Sequence, residues 1–169
     1  MENKILFAER QKFKQWWLWL LLLGINGMFL FGIFKKTIGS KVSADNAILN
    51  NPLIIGFVVI LLVTILFLVI KLETIVKEDG IYVRFFPFQI AFRKYVWEKI
   101  DKAFVREYSP ISEYGGWGFR YGTGNGKALN ISGNKGLQLI FTNNTPLLIG
   151  TNKMEDLEYT LNQISQIKQ

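Results

Sequence analysis

Two stretches of this chain have no polar face. Trp16 to Phe34 runs 19 residues without a charge, and Leu53 to Ile70 runs 18. At about 1.5 Å per helical residue each reaches roughly 27–29 Å, the depth of a hydrocarbon core. A buried soluble helix keeps a polar stripe over such a length, so both runs predict transmembrane helices, at about 16–34 and 53–70. Trp16, Trp17 and Trp19 cluster at the start of the first, where amphipathic rings favour the interface. The first run is longer than a signal-peptide core. Lys35, Lys36 and Lys41 also separate it from the small triplet Val42-Ser43-Ala44, so an uncleaved anchor is expected.

From Glu73 the period changes. Ile81, Val83 and Phe85 alternate with Tyr82, Arg84 and Phe86, and Glu78-Asp79-Gly80 supplies a turn, so 73–88 predicts a hairpin. Further strands are expected at 89–97, 102–108, 118–122, 127–132, 136–141 and 146–149, with Asn125-Gly126 as the strongest turn signal. Leu157, Leu161 and Ile164 then fall on one helical face, which extends to Lys168 and predicts a terminal helix at about 153–167. Asn152 and Glu155 are spaced for a capping box. The expected division is therefore a basic tail with a two-helix hairpin over 1–72 and a β domain over 73–169. The first fourteen residues mix Ile5, Leu6, Phe7 and Phe13 with charges in no clean stripe, and are expected to be a topogenic tail.

Charge sharpens this picture. The net charge is +7, with about +5 in residues 1–72 and +2 in the remainder. Basic residues that flank apolar runs mark membrane orientation rather than nucleic-acid binding, and no nucleic-acid partner is expected. Lys4, Arg10, Lys12, Lys14, Lys71, Lys77 and Arg84 on one side outnumber Lys35, Lys36 and Lys41 on the other. Both termini are accordingly expected in the cytoplasm. The chain has no Cys and no His. That excludes disulfides, thiolate metal sites and cysteine nucleophiles, and removes the commonest general base. No catalytic residue, metal or cofactor is expected.

Few residues carry candidate chemistry. Asn26 is the polar residue of the first span and a candidate interhelix contact, with Thr64 its counterpart in the second. Gly24, Gly27 and Gly32 permit close helix approach. Gly122 to Ala128 imitates a phosphate loop but is one residue short, ends in Ala and precedes a strand pattern, so a hairpin turn is expected. Tyr114, Trp117 and Arg120 combine residue types enriched at binding hot spots and form a candidate interaction patch. The alternative is structural, with Trp117 buried and its glycines at bends of a sheet. Glu98 and Asp101 are expected to be ordinary solvated charges.

The run Tyr114-Gly115-Gly116-Trp117-Gly118-Phe119-Arg120, followed by Lys127 to Gly133, Gly136 to Leu139 and Leu148 to Thr151, resembles the bacterial pleckstrin-homology-like (PH-like) domains of small membrane proteins. The resemblance covers roughly 73–169. It implies an α+β, mainly β, bent sandwich or partial barrel capped by a C-terminal helix, and no enzymatic activity. Lipid-binding members place a basic-x-Arg pair after the first turn. Here Phe86 replaces that Arg, and Glu78 and Asp79 repel phosphate, so phosphoinositide recognition is not expected. The expected function is a non-catalytic scaffold in the bacterial inner membrane. Its partners would be the bilayer and either a membrane-proximal protein or a second copy of itself. The alternatives are an accessory subunit of a transporter or secretion complex, and an enzyme acting on lipid or envelope precursors.

Overall fold

A computed structural model describes residues 4–39, 51–122 and 124–164. The chain forms two compact units: Lys14–Val69 is one, and Met1–Phe13 together with Ile70–Gln169 is the other. The expected boundary at 72/73 therefore shifts. The segment read as a tail is a strand, β1 (Ile5–Lys12), and it pairs antiparallel with β2 (Lys71–Lys77) from Arg10↔Glu73 to Lys12↔Lys71. The helical hairpin is thus an insertion between two neighbouring strands.

That hairpin consists of α1 (Trp16–Gly39) and α2 (Pro52–Val69), both long and apolar enough to cross a membrane. Asn51 Oδ1 accepts the Leu53 N–H at 3.2 Å, and Pro52 follows at the first helical position, so the sequence fixes where α2 begins. Lys41, the Val42–Ala44 triplet and Lys168 lie outside the described residues. The close helix approach falls at Gly56, where a Cβ would lie 2.4 Å from the Phe29 ring, whereas Gly24 and Gly27 face open space.

The other unit holds two sheets that do not close into a barrel. One has the order β1-β2-β3-β4, with β3 at Gly80–Phe86 and β4 at Arg93–Tyr95. Gly80 (φ 147°) turns the β2–β3 hairpin where any Cβ would strike the Tyr95 carbonyl. The second sheet contains β5 (Ile100–Glu107), β6 (Gly118–Gly122), β7 (Gly126–Asn130), β8 (Lys135–Phe141) and β9 (Pro146–Gly150), in the order β5-β8-β9-β7-β6. Its β7–β9 pair is parallel. Of the expected third strand 89–97, only β4 forms, and Pro87 to Phe92 is a loop.

Alternation builds the core. Leu72 and Val76 of β2 and Ile81, Val83 and Phe85 of β3 point inward, as do Leu137 and Leu139 of β8 and Ile149 of β9. The second sheet is covered on its other face as well. There Tyr108, Ala128 and Leu148 pack with Tyr114, which ends the short helix α3 (Pro110–Tyr114). Burial on both faces explains the apolar run at 147–149, and it buries Gln138 between Leu137 and Leu139. Helix α4 (Met154–Gln163) buries Leu157 and Leu161 as expected. It begins without a side-chain cap, because Asn152 bonds Ser132 instead.

Inside β1 the inward residues after Phe7 are polar. Glu9 accepts the Thr151 hydroxyl at 2.6 Å and the Asn152 N–H at 2.8 Å, and Gln11 Nε2 donates to the Gly150 carbonyl at 2.7 Å. These bonds fasten the first strand to the far end of the chain.

Candidate functional site

The residues singled out from the sequence do not form one surface. Tyr114 is core, its ring edge-on to Tyr108 at 5.9 Å and its hydroxyl 3.4 Å from the Asn125 carbonyl. Burial pushes both tyrosines' pKa values up and keeps them as neutral phenols. Trp117 is half-buried, and its indole N–H donates to the Gly133 carbonyl at 2.9 Å. Arg120 is exposed and folds back so that Nε donates to the Trp117 carbonyl at 3.1 Å. The glycine run has a local cause: Gly115 (φ 69°) ends α3 in the left-handed conformation. Gly118 N–H then donates to Asn130 Oδ1 at 2.8 Å, while Asn130 Nδ2 donates to the Tyr108 hydroxyl at 2.9 Å. Chain reversal and a buried amide clamp account for most of the motif.

Asn26 is buried in the helical hairpin. Its Nδ2 donates to Thr64 Oγ1 at 2.9 Å and to the Leu22 carbonyl at 2.7 Å. Glu113 accepts both Arg106 Nη2 at 2.7 Å and the Ser109 N–H at 2.7 Å. The Arg106 bond, ahead of the opposing effect of burial, holds the Glu113 carboxyl below its usual range. Glu113 is thus turned to Arg106 and Ser109, while Arg120 folds onto Trp117.

The structure assembles a different site. Between β4 and the ends of β7, β8 and β9 nearest the turns lies a groove of about 680 Å³. Among the described residues four cations line it, Arg93, Lys94, Lys99 and Lys127, and no carboxylate does. Its aromatic faces are Tyr95, Tyr121 and Phe141, with the Tyr95 and Phe141 rings 5.4 Å apart. Lys127 Nζ lies 5.2 Å over the Tyr121 ring, and the Arg93 guanidinium 5.7 Å from the Tyr95 ring. Burial holds Tyr95 as a neutral phenol against the opposing pull of Arg93.

Lys94 is the cation with a carboxylate partner, Asp79 Oδ2 at 2.5 Å, an oxygen that also accepts the Tyr82 hydroxyl at 2.8 Å. The Lys94 bond pulls the Asp79 carboxyl down, and the same contact raises Lys94. Among the described residues, Arg93, Lys99 and Lys127 line the groove without a carboxylate in ion-pair distance. Gly126 (φ 72°) shapes the floor, since a Cβ there would meet the Pro146 carbonyl at 2.3 Å. Unneutralised cations beside flat rings suit an anionic, extended ligand, and no nucleophile is paired with a base among these residues.

Sequence reasoning missed this groove because its cations lie on separate segments between positions 93 and 127. One signal was present: a turn at Asn125-Gly126 sets Tyr121 opposite Lys127, which is the register found. No family model, curated protein or solved structure matches this chain.

Proposed function

We propose that this protein is a membrane-anchored, non-catalytic interaction module. Its PH-like β domain is held at the cytoplasmic face of a bacterial inner membrane, and its basic groove receives an acidic segment of a membrane-proximal protein. The observation that carries the proposal is the insertion of the apolar hairpin between β1 and β2. The chain leaves the sheet at Lys12 and re-enters it at the paired Lys71, through links of residues 13–15 and residue 70. Both flanks of the hairpin belong to one sheet, which supports placing both termini on one side of the bilayer. Two short links leave the domain little reach, so its partners belong at the membrane. The positive flanks favour the cytoplasmic side, and the glycine-aromatic run supports kinship with the bacterial PH-like proteins. Asn26 Nδ2 is engaged within the hairpin, while its buried Oδ1 has no partner among the described residues.

The test is a photo-crosslinking residue in place of Tyr121 in native membranes, alone and with Lys99→Glu plus Lys127→Glu. A discrete adduct to a membrane protein, lost on charge reversal, supports the proposal. Adducts indifferent to the reversal, or none at all, overturn it.

A further inference from the structure

The large apolar residues exposed on the β domain concentrate in one loop. Phe88 is 62% exposed, Ile90 76% and Phe92 37%, all within the six residues that join β3 to β4. Of the other exposed apolar residues of this unit, Ile5, Ile111 and Tyr159 stand singly, and Phe119 and Tyr121 form a pair with rings 5.7 Å apart on β6. The loop is ordered rather than slack. Gln89 N–H donates to the Phe85 carbonyl at 2.8 Å, Arg84 Nη1 donates to the Ile90 carbonyl at 3.3 Å, and the Arg84 guanidinium lies 4.4 Å from the Phe92 ring. Such an arrangement holds apolar side chains out in water at a cost unless something covers them.

Strand register identifies the cover. Lys12 of β1 pairs with Lys71 of β2, and Lys71 pairs with Phe86 of β3. The loop therefore leaves the sheet on the same row at which the chain departs for α1 and returns from α2. At the opposite end the β2–β3 turn carries Glu78 and Asp79. One end of the sheet is thus apolar with Lys12, Lys71 and Arg84 beside it, Lys71 lying 5.3 Å over the Phe86 ring and both Lys71 and Arg84 paired with Glu73, whereas at the other end Glu78 and Asp79 stand with Lys77 and Lys94. Apolar tips ringed by cations are the chemistry of the lipid interface, where the rings enter the acyl boundary and the charges stay among headgroups.

We infer that the β3–β4 loop is a third membrane contact, inserting Phe88, Ile90 and Phe92 into the bilayer interface beside the two helix links. The groove, which begins at Arg93 opposite Val83, then lies roughly 10 Å or more above the lipid surface at about 3.3 Å per strand residue, facing protein rather than headgroups. The inference rests on the membrane reading of the helices and is independent of what the groove binds.

The absence of native cysteine makes the test clean. Full-length Ile90→Cys, Phe88→Cys, Glu78→Cys and Leu62→Cys are each labelled with an environment-sensitive fluorophore. They are reconstituted in vesicles of phosphatidylcholine and phosphatidylglycerol, with and without brominated acyl chains. The labels at Ile90 and Phe88 should lose most of their emission to the brominated lipid, as Leu62 in α2 does, while Glu78 keeps its emission and is quenched by aqueous iodide instead. Quenching at Leu62 without quenching at Ile90 and Phe88 overturns the loop insertion and leaves the membrane anchor standing. An Ile90 label shielded from both quenchers also overturns it, since protein would then cover the loop. No quenching at Leu62 overturns the anchor and the insertion together.

Discussion

Replacing Glu9 with Ala asks whether the first strand belongs to the domain. The carboxylate is 8% exposed and accepts two hydrogen bonds, from the Thr151 hydroxyl and the Asn152 N–H. Bonds to a charged acceptor contribute about 1.5–3 kcal/mol each, so their sum reaches about 3–6 kcal/mol. Two effects reduce it. Asn152 is exposed, so water reaches its N–H once the partner is gone, and Ala also relieves the desolvation of a buried charge. A net loss of about 2–4 kcal/mol remains, a large share of the roughly 5–15 kcal/mol that holds a domain together. Glu9→Gln keeps one acceptor and should cost about half as much. Gln11→Met should cost less again, because Gln11 Oε1 is already without a partner and its removal offsets the lost bond to Gly150. The assay is pulse proteolysis across a urea series, on the full chain in nanodiscs, following cleavage within the β domain. A Glu9→Ala midpoint within about 0.5 kcal/mol of the parent, the range of an ordinary surface substitution, would refute the reasoning.

Trp117→Ala should destabilise by about 1.5–3 kcal/mol, less than the 3–5 expected of a full core residue, because the ring is half-buried and gives up one hydrogen bond to Gly133. Arg120→Ala should be silent in the same urea series, and a loss as large as that of Trp117 would show the two acting as a unit. The Glu113 carboxyl is held down in the folded state, so its contribution is present above the unfolded carboxylate pKa near pH 4 and disappears as pH falls through the lower folded value. Glu73 behaves alike: burial raises it, but the Arg84 bond and charge together with Lys71 outweigh burial. Stability measured from pH 7 to 3 should therefore drop at the acid end. Arg106→Met should be weaker at pH 7 and lie closer to the parent at pH 3, keeping the pH-independent loss of the Arg106–Gln138 bond, and parallel curves would contradict the assignment. Replacing residues 14–69 by a two-residue Asn-Gly turn should leave a folded β domain, since Lys12 and Lys71 are already paired neighbours; an unfolded product would show that the hairpin is needed for the sheet.

Much of the fold was legible where one face of an element is uniformly apolar. The two helices, the β2–β3 hairpin and the face of α4 carrying Leu157 and Leu161 follow from periodicity alone. β1 was illegible for a physical reason. Its inward positions are Phe7, Glu9 and Gln11, so the period-2 signal vanishes where buried polar groups find partners some 140 positions away. The loop at Pro87–Phe92 failed in the opposite sense. Its apolar residues Phe88, Ile90 and Phe92 alternate as a strand's would, yet they stand exposed in a loop between β3 and β4.

The site illustrates the same division between local and distant information. The Gly-aromatic run is conspicuous in sequence because a left-handed helix end, a strand start and an amide clamp fall within seven residues, and all of these are local. The groove instead depends on β4 of one sheet lining the same space as the ends of β7 and β9 of the other, so that Arg93 and Lys94 share it with Lys99 and Lys127. No short window contains that meeting, and each cation taken alone looks like a solvated surface charge. What marks them as a site is the absence of a carboxylate among the lining residues, with Asp79 drawn off to Lys94 at the rim. A surface under no constraint mixes signs, because like charges held together repel and cost stability. Arg93, Lys99 and Lys127 line one groove with Tyr95, Tyr121 and Phe141, which is the arrangement the proposed acidic partner would need.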